Sequence, residues 1–461
     1  MFRKFTEGCV NLVQRFLPDA FVFCILLTIV VFIAAMPVTG MNPIEVANAW
    51  GSGVWGLLAF SMQMALVLVL GSALANAPAI KKIIVAAAGV PKKPASAVVF
   101  VFVVSAICCF INWGFGLIIG ALLAKEVAKK VQGVDYRLII AAAYSGFVIW
   151  HMGISGSIPL SVTTVGDDGY VAQTGNTVTE AIPTSETIFS AWNLIIVALI
   201  VIVIAILLYF MHPKADKVVS IDPKLLKDEV NDEYGDPNKK PTTPAEKLEN
   251  SMILSYITVV IGAVYIVYYF MQAGDILNSL TLNIVNLIFL VLGIAFHKTP
   301  IAYVRAIMDA AKSAGGIILQ FPFYAGIQGM MVTAGATGVS LAGAISNAFV
   351  SISTPLTFPI FCYLAAGIVN FFVPSGGGQW AVQGPIMMPA GAKLGVSPAV
   401  TAMGIAYGDA WTNMLQPFWA LPALGVAKLG ARDIMGYCVI VLIASGVVTC
   451  LGFAFILPLF T

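Results

Sequence analysis

Residues 369–380 read VNFFVPSGGGQW, a cluster of Asn, Pro, Ser, Gly and Gln set between two apolar runs. What that cluster means depends on the solvent around it. Of the 461 residues, 59% are hydrophobic and only 10% charged, against roughly 25% charged in ordinary globular chains. Apolar runs recur at 20–37, 54–75, 190–211, 251–271, 279–297 and 433–459. About 20 such residues cross a hydrocarbon core of about 30 Å. The chain therefore reads as an all-α polytopic membrane protein. At membrane depth, irregular backbone is tolerated only inside protein or beside water. The opening stretch is thus a candidate ligand site and not a surface loop.

The basic residues set a path. With Arg3, Lys4 and Arg15 on the cytoplasmic side, the loop 38–53 falls outside and carries no Lys or Arg. The apolar N-terminal stretch leads into more membrane, so it reads as a retained first helix and not a cleaved signal. Segment 95–131 is basic at both ends and too short for two crossings, which predicts a re-entrant hairpin turning at Asn112–Gly116. Segment 357–394, around the opening stretch, is read as a second hairpin entering from outside. Between and beyond them run an interrupted helix over 137–160, a charged cytoplasmic linker over 212–250 with seven lysines, and a second interrupted helix over 398–424. The path makes about nine full crossings, ends with the C-terminus outside, and leaves only Lys393 of the 24 basic residues there.

The two halves, 1–211 and 251–461, share an order. AYSGFVIWHMGISGSIPL (143–160) aligns with AYGDAWTNMLQPFWALPA (406–423), matching Tyr144 with Tyr407 and Pro159 with Pro422. At the same offset Lys130 matches Lys393. Asn112 faces Asn370 once five extra residues are allowed in the second hairpin, and Gln63 pairs with Gln320. An odd number of crossings separates the two glutamines, so the halves read as an inverted repeat, a signature of secondary transporters.

Free backbone groups then fall at the hairpin tips and at the breaks: Gly153–Ser157 in one helix, and Thr412, Asn413, Gln416 and Pro417 in the other. Half-helix N-termini suit a carboxylate and C-terminal carbonyls suit a cation. No Lys or Arg lies mid-span, so N–H, hydroxyl and amide groups would hold an anion. Asp409 is the only carboxylate well inside a span and His151 the only histidine. An intramembrane ionisable group is a functional candidate; the plainer alternative for each is a polar contact between helices, and for the two asparagines a turn. The seven cysteines show no metal spacing and read as buried thiols. PSGGGQ lacks the Gly-Lys-Ser/Thr of a phosphate loop. Neither HExxH nor GxSxG occurs, so an enzyme is disfavoured, and a channel is the other alternative to a carrier.

The runs VNFFVPSGGGQWAVQGPIMMPA, AYGDAWTNMLQPFWALPALG and FINWGFGLIIGALLAKE resemble the short-chain fatty acid transporter family, permeases for acetoacetate, butyrate and similar acids within the ion transporter superfamily. The resemblance implies a scaffold domain and a transport domain moving as an elevator, usually in a homodimer in the inner membrane of a bacterium. It implies Asn112 and Asn370 at the tips, Ser375, Gly376, Gly377 and Gly378 lining the second tip, and Thr412 and Asn413 at the second break; substrate binding is expected at these tips and at Trp113, Gly114 and Gln379, with Trp113, Phe115, Phe371 and Phe372 sheltering the alkyl end. Ion coupling is expected at Asp409, Thr412, Asn413, Ser155, Ser157 and His151, with a candidate sodium position near Asn112, Ser155, Asn370 and Thr412. Dicarboxylate carriers of the superfamily often show Ser-Asn-Thr at their tips; here the tips read Ile-Asn-Trp and Val-Asn-Phe, which fits a smaller monocarboxylate. No cofactor and no nucleic-acid partner is expected, and the coupling ion is sodium or a proton. A dicarboxylate or other organic-anion carrier is the alternative.

Overall fold

The structure is a computed structural model that describes residues 20–163, 173–214, 216, 218–221, 241–277, 279–370, 373–415 and 419–460. Arg3, Lys4, Arg15, Phe371, Phe372, Gln416, Pro417 and most of the 212–250 linker lie outside these residues. Regular structure among the described residues is helical, a lone bridge between Ala334 and Ser340 aside.

The first series runs α1 (Ala20–Thr39), α2 (Pro43–Gly53), α3 (Leu58–Ala75) and α4 (Pro78–Ala87). It continues through a helical pair, α5 (Pro94–Ile111) and α6 (Trp113–Lys130), then α7 (Tyr136–Ser145), a 3-10 stretch (Gly146–Met152), the short α8 (Ser157–Ser161) and α9 (Ala191–Met211). After α10 (Met252–Ala273) a second series follows: α11 (Leu282–His297), α12 (Pro300–Ala311), α13 (Gly315–Val332) and α14 (Leu341–Ile352). Then come the pair α15 (Phe358–Asn370) and α16 (Gly376–Lys393), α17 (Pro398–Thr412), α18 (Leu421–Ala427) and α19 (Ala431–Leu451). Starts are marked by local chemistry. Pro43 and Pro300 follow caps at Asn42 and Thr299, and Asn42 with Glu45 closes a capping box.

Six helices among the described residues are long and apolar enough to cross a membrane, α10 the most exposed of them, with Ser255 its one buried residue. A helix apolar all round yet unburied in the monomer belongs in lipid or against another apolar surface. A helix or interrupted helix lies on every segment expected to cross.

Packing is reciprocal between the series. α1 and α2 pack on α13, while α11 and α12 pack on α3; α4 touches α11, and α14 touches α1. α3 in turn packs against α6, and α13 against α16. α18 packs on α6 and α8 on α16, so each pair meets the far half of the other series' interrupted helix.

Two expectations need refinement. The first turn is not 112–116 but Asn112 alone, which ends α5 and caps α6, with φ −152° and ψ 119°. Residues 113–116 are already helix. The first interruption begins before Gly153, because the α-helix gives way to a 3-10 turn at Gly146. A Cβ at Gly146 would lie 2.6 Å from both Ala106 N and Ser105 Oγ, so the helix is pressed onto α5 at that point. α16 carries Pro385 and Pro389 inside its span.

Candidate functional site

Asn370 closes α15 at the second tip, fully buried. Its Nδ2 donates to the Asp409 carbonyl oxygen (2.8 Å), Thr412 Oγ1 (2.9 Å) and Asn413 Oδ1 (3.0 Å). The orientation of the amide follows from its neighbours. A backbone carbonyl only accepts, and the Thr412 hydroxyl gives its own hydrogen to the Gly367 carbonyl (2.9 Å). The atom facing them must therefore be the nitrogen. The oxygens read as a candidate sodium cage near Asn370 and Thr412 are brought together, and an amide nitrogen sits among them.

His151 and Asp409 meet across the two series, 0% and 1% exposed, with Nδ1 2.8 Å from Oδ2. Asp409 Oδ1 has no hydrogen-bond partner among the described residues. The second tip rests on this pair. A Cβ at Gly376 would lie 2.6 Å from His151 Cε1, 2.8 Å from Ser157 Oγ and 2.8 Å from Trp150 Cη2. The following glycines press on α3 and α13, Gly377 on Phe60 and Phe321, Gly378 on the Tyr324 ring. Three glycines are what let the N-terminus of α16 enter between these surfaces. Ser375 caps it, accepting weakly from Gly378 N at 3.4 Å, so first-turn N–H groups and the positive helix end point at the buried pair.

At the first tip, Asn112 Oδ1 accepts from Phe115 N (2.9 Å) and Ser155 Oγ accepts from Trp113 N (2.9 Å). Gly71 on α3 leaves the room that Asn112 occupies. The break is stitched to the hairpin by Ile154 N donating to the Phe110 carbonyl (2.6 Å). Trp113 packs at 5.1 Å on Trp419 and 5.7 Å on Trp150, whose ring stacks on His151 at 4.0 Å. Three buried donors here lack a partner among the described residues: Asn112 Nδ2, Trp113 Nε1 and Trp150 Nε1. An orphaned buried donor costs about 1–3 kcal/mol. Buried donors left open in this way suit a ligand rich in acceptors.

The expected site residues thus fall into one continuous neighbourhood. Asn370, Asp409, Thr412 and Asn413 form one cluster, and His151, Ser157 and Gly376 form the bridge. Asn112, Trp113 and Ser155 form the other cluster. Gly114 packs on the backbone of Leu68 and Val67 and faces away from the break. Gln379 turns to the Ala366 carbonyl (2.9 Å) and Gln383 Oε1 (2.8 Å), inside its own hairpin. Phe115 packs on Phe289 of α11, not on the tip's interior. Sequence reasoning missed Trp150, Trp419 and the Phe60–Phe321–Tyr324 cradle. Trp150 adjoins the one histidine well inside a span, and Trp419 lies within the run that carries the family resemblance; both were signals. The cradle had none, since it joins helices far apart in the chain.

The model of the family described as short chain fatty acid transporter matches residues 1–456. The chain belongs to the short-chain fatty acid transporter family. It is 44% identical over 452 residues to an Escherichia coli protein provisionally named a short-chain fatty acid transporter, covering 98% of this chain and 99% of that one. A Haemophilus influenzae relative with the same provisional name is 43% identical over 458 residues, 99% and 100% of the two chains. In fold, this family member is similar to the YdaH transporter of Alcanivorax borkumensis, described as having an unusual topology. The TM-score is 0.57 at 12% identity, over 96% of this chain and 98% of that one.

Proposed function

We propose that this family member is a secondary active importer that carries short-chain monocarboxylates such as butyrate or acetoacetate, together with a cation, across the inner membrane of a bacterium. The observation that carries the reading is the meeting of both hairpin tips and both helix breaks around one buried acid–histidine pair, edged by unpartnered N–H donors. The carboxylate would lie at the N-terminus of α16, among the donors of Trp113, Trp150 and Asn112, with the indole rings against its alkyl end. Neither cluster contains a lysine or arginine, so dipoles and amides do the binding. Asp409, with Thr412 and Asn413, is the coupling site.

Reciprocal packing of the two series supports an inverted repeat, and with it an elevator in which α5–α9 and α15–α19 move against α1–α4 and α11–α14. A homodimer, a cytoplasmic N-terminus and an external C-terminus complete the reading. The test is counterflow in proteoliposomes. Labelled butyrate uptake should be stimulated by unlabelled butyrate or acetoacetate inside. Uptake indifferent to trans substrate would instead mean a channel, and the absence of any uptake would end the proposal.

A further inference from the structure

We propose that the coupled cation is a proton, carried on Oδ1 of Asp409 and positioned by His151, and that it travels with one substrate carboxylate; this rests on the transport reading above. The ring tautomer of His151 is the first step. Ile158 N–H donates to Nε2 at 3.0 Å, so that nitrogen bears no hydrogen. The ring hydrogen is on Nδ1 and donates to Asp409 Oδ2 at 2.8 Å. His151 is then neutral, and adding a proton to its Nε2 would break the bond to Ile158. Oδ1 of Asp409, buried and unpartnered among the described residues, can accept a proton without losing any bond.

Sodium is less well served. The Asp409 backbone carbonyl, Thr412 Oγ1 and Asn413 Oδ1 already face the Asn370 amide nitrogen, while Asn112 Oδ1 and Ser155 Oγ accept from Phe115 N and Trp113 N; of the Asp409 carboxylate itself only Oδ1 is left open. The remaining titratable groups do not compensate a charge. On the elements packed around the pair they are tyrosines and cysteines: Tyr363 and Cys362 on α15, Tyr144 on α7, Tyr407 on α17, Cys109 on α5, and Cys438 and Cys450 on α19. The short α8 and the first turns of α9 and α16 bring none. Charged residues of the packed elements stand at the far ends, as Arg137 and Lys393 do.

Coupling follows from charge. An ionised Asp409 beside a neutral histidine leaves one buried negative charge. A carboxylate at the Gly376 end of α16 would add a second within reach of the His151 ring. Like charges sharing a buried site cannot both stay ionised cheaply. The carboxylate therefore binds the protonated form, and by linkage each promotes binding of the other. The step is a proton transfer only: water on the entry side loses a proton, an O–H bond forms at Oδ1, and it breaks again when the site faces the other side.

Butyrate affinity of the purified full chain in detergent, measured by calorimetry across pH, is the test. Wild type should weaken about tenfold per pH unit once Asp409 has lost its proton, with one proton taken up per butyrate in buffers of different ionisation enthalpy. Asp409→Asn should bind with no pH slope and no proton uptake. His151→Gln, which keeps a hydrogen-bonding group for Ile158, should retain the slope but shift it to higher pH, because the carboxylate loses a donor that favours its charged form. A flat wild-type profile, a tenfold slope retained by Asp409→Asn, or an affinity governed by sodium at fixed pH would overturn the proposal. A His151→Gln profile superimposed on wild type would remove His151 from it. Failure of wild type to bind either butyrate or acetoacetate would strike the transport reading itself, and the proton assignment with it.

Discussion

Gly376 holds a place where propensity and packing pull in opposite directions. In the first turn of a helix, alanine would ordinarily gain up to about 1 kcal/mol over glycine. Here its Cβ would meet His151, Ser157 and Trp150 at 2.6–2.8 Å. Gly376→Ala is therefore expected to lower the thermal midpoint in detergent and to suppress counterflow; an unchanged midpoint with normal uptake would show that the tip does not seat on the break. Asn370 permits a sharper comparison. Asn370→Ala removes one donor from three acceptors, whereas Asn370→Asp is nearly the same shape but faces oxygens with oxygens. The aspartate variant should transport less than the alanine variant, and the reverse order would mean the amide is not a donor there. The placing of both residues at a break between helices was legible in the sequence, Asn370 as a polar residue between apolar runs and Gly376 as one of a run of glycines. That the asparagine's partners would be Asp409, Thr412 and Asn413 was not legible, because about 40 residues separate them and only α15 packing along α17 brings them together.

Among the elements, the hairpins and breaks were predictable because each interrupts an apolar run with residues that cannot be left in lipid. The boundaries were less so. GFVIWHM, the 3-10 stretch, carries no Pro and no internal polar signal except His151, so its change of pitch comes from contact with α5 and not from its own composition. Asn112 turns the chain by itself, since its backbone ends one helix and its side chain starts the next. The first break and the first hairpin are held as one unit by Ser155 and by the Ile154–Phe110 bond. Ser155→Ala would leave Trp113 N–H buried without an acceptor, at about 1–3 kcal/mol. The expected result is a lower thermal midpoint with substrate affinity reduced, and rescue by Ser155→Thr, which restores a hydroxyl. Equal midpoints for the alanine and threonine variants would show that the contact carries no weight.

At the scale of the whole molecule, Gln63 and Gln320 were paired from order along the chain alone; they lie on α3 and α13, the helices against which the hairpins pack. Their surroundings differ. Gln63 donates to Asn283 (2.8 Å), while Gln320 accepts from Tyr324 (3.0 Å) beneath the second tip. Order along the chain therefore left open the partners that decide each residue's chemistry. Phe115 on α6 and Phe289 on α11 touch at 6.1 Å across the supposed sliding boundary. A Phe115→Cys/Phe289→Cys pair, cross-linked, should stop uptake reversibly, and each single variant should not. Uptake that continues through the cross-link would show that α6 and α11 stay together during transport. The two hydrogens of the Asn370 amide are shared among three oxygens of α17 and its end, which ties α15 to α17 and opposes an outward swing of that arm. Any peeling open of the second tip has to happen on the α16 arm, where Pro385 and Pro389 break the hydrogen-bond ladder. The hairpin is thus built with one fastened leg and one hinged leg, and the exit would lie on the hinged side.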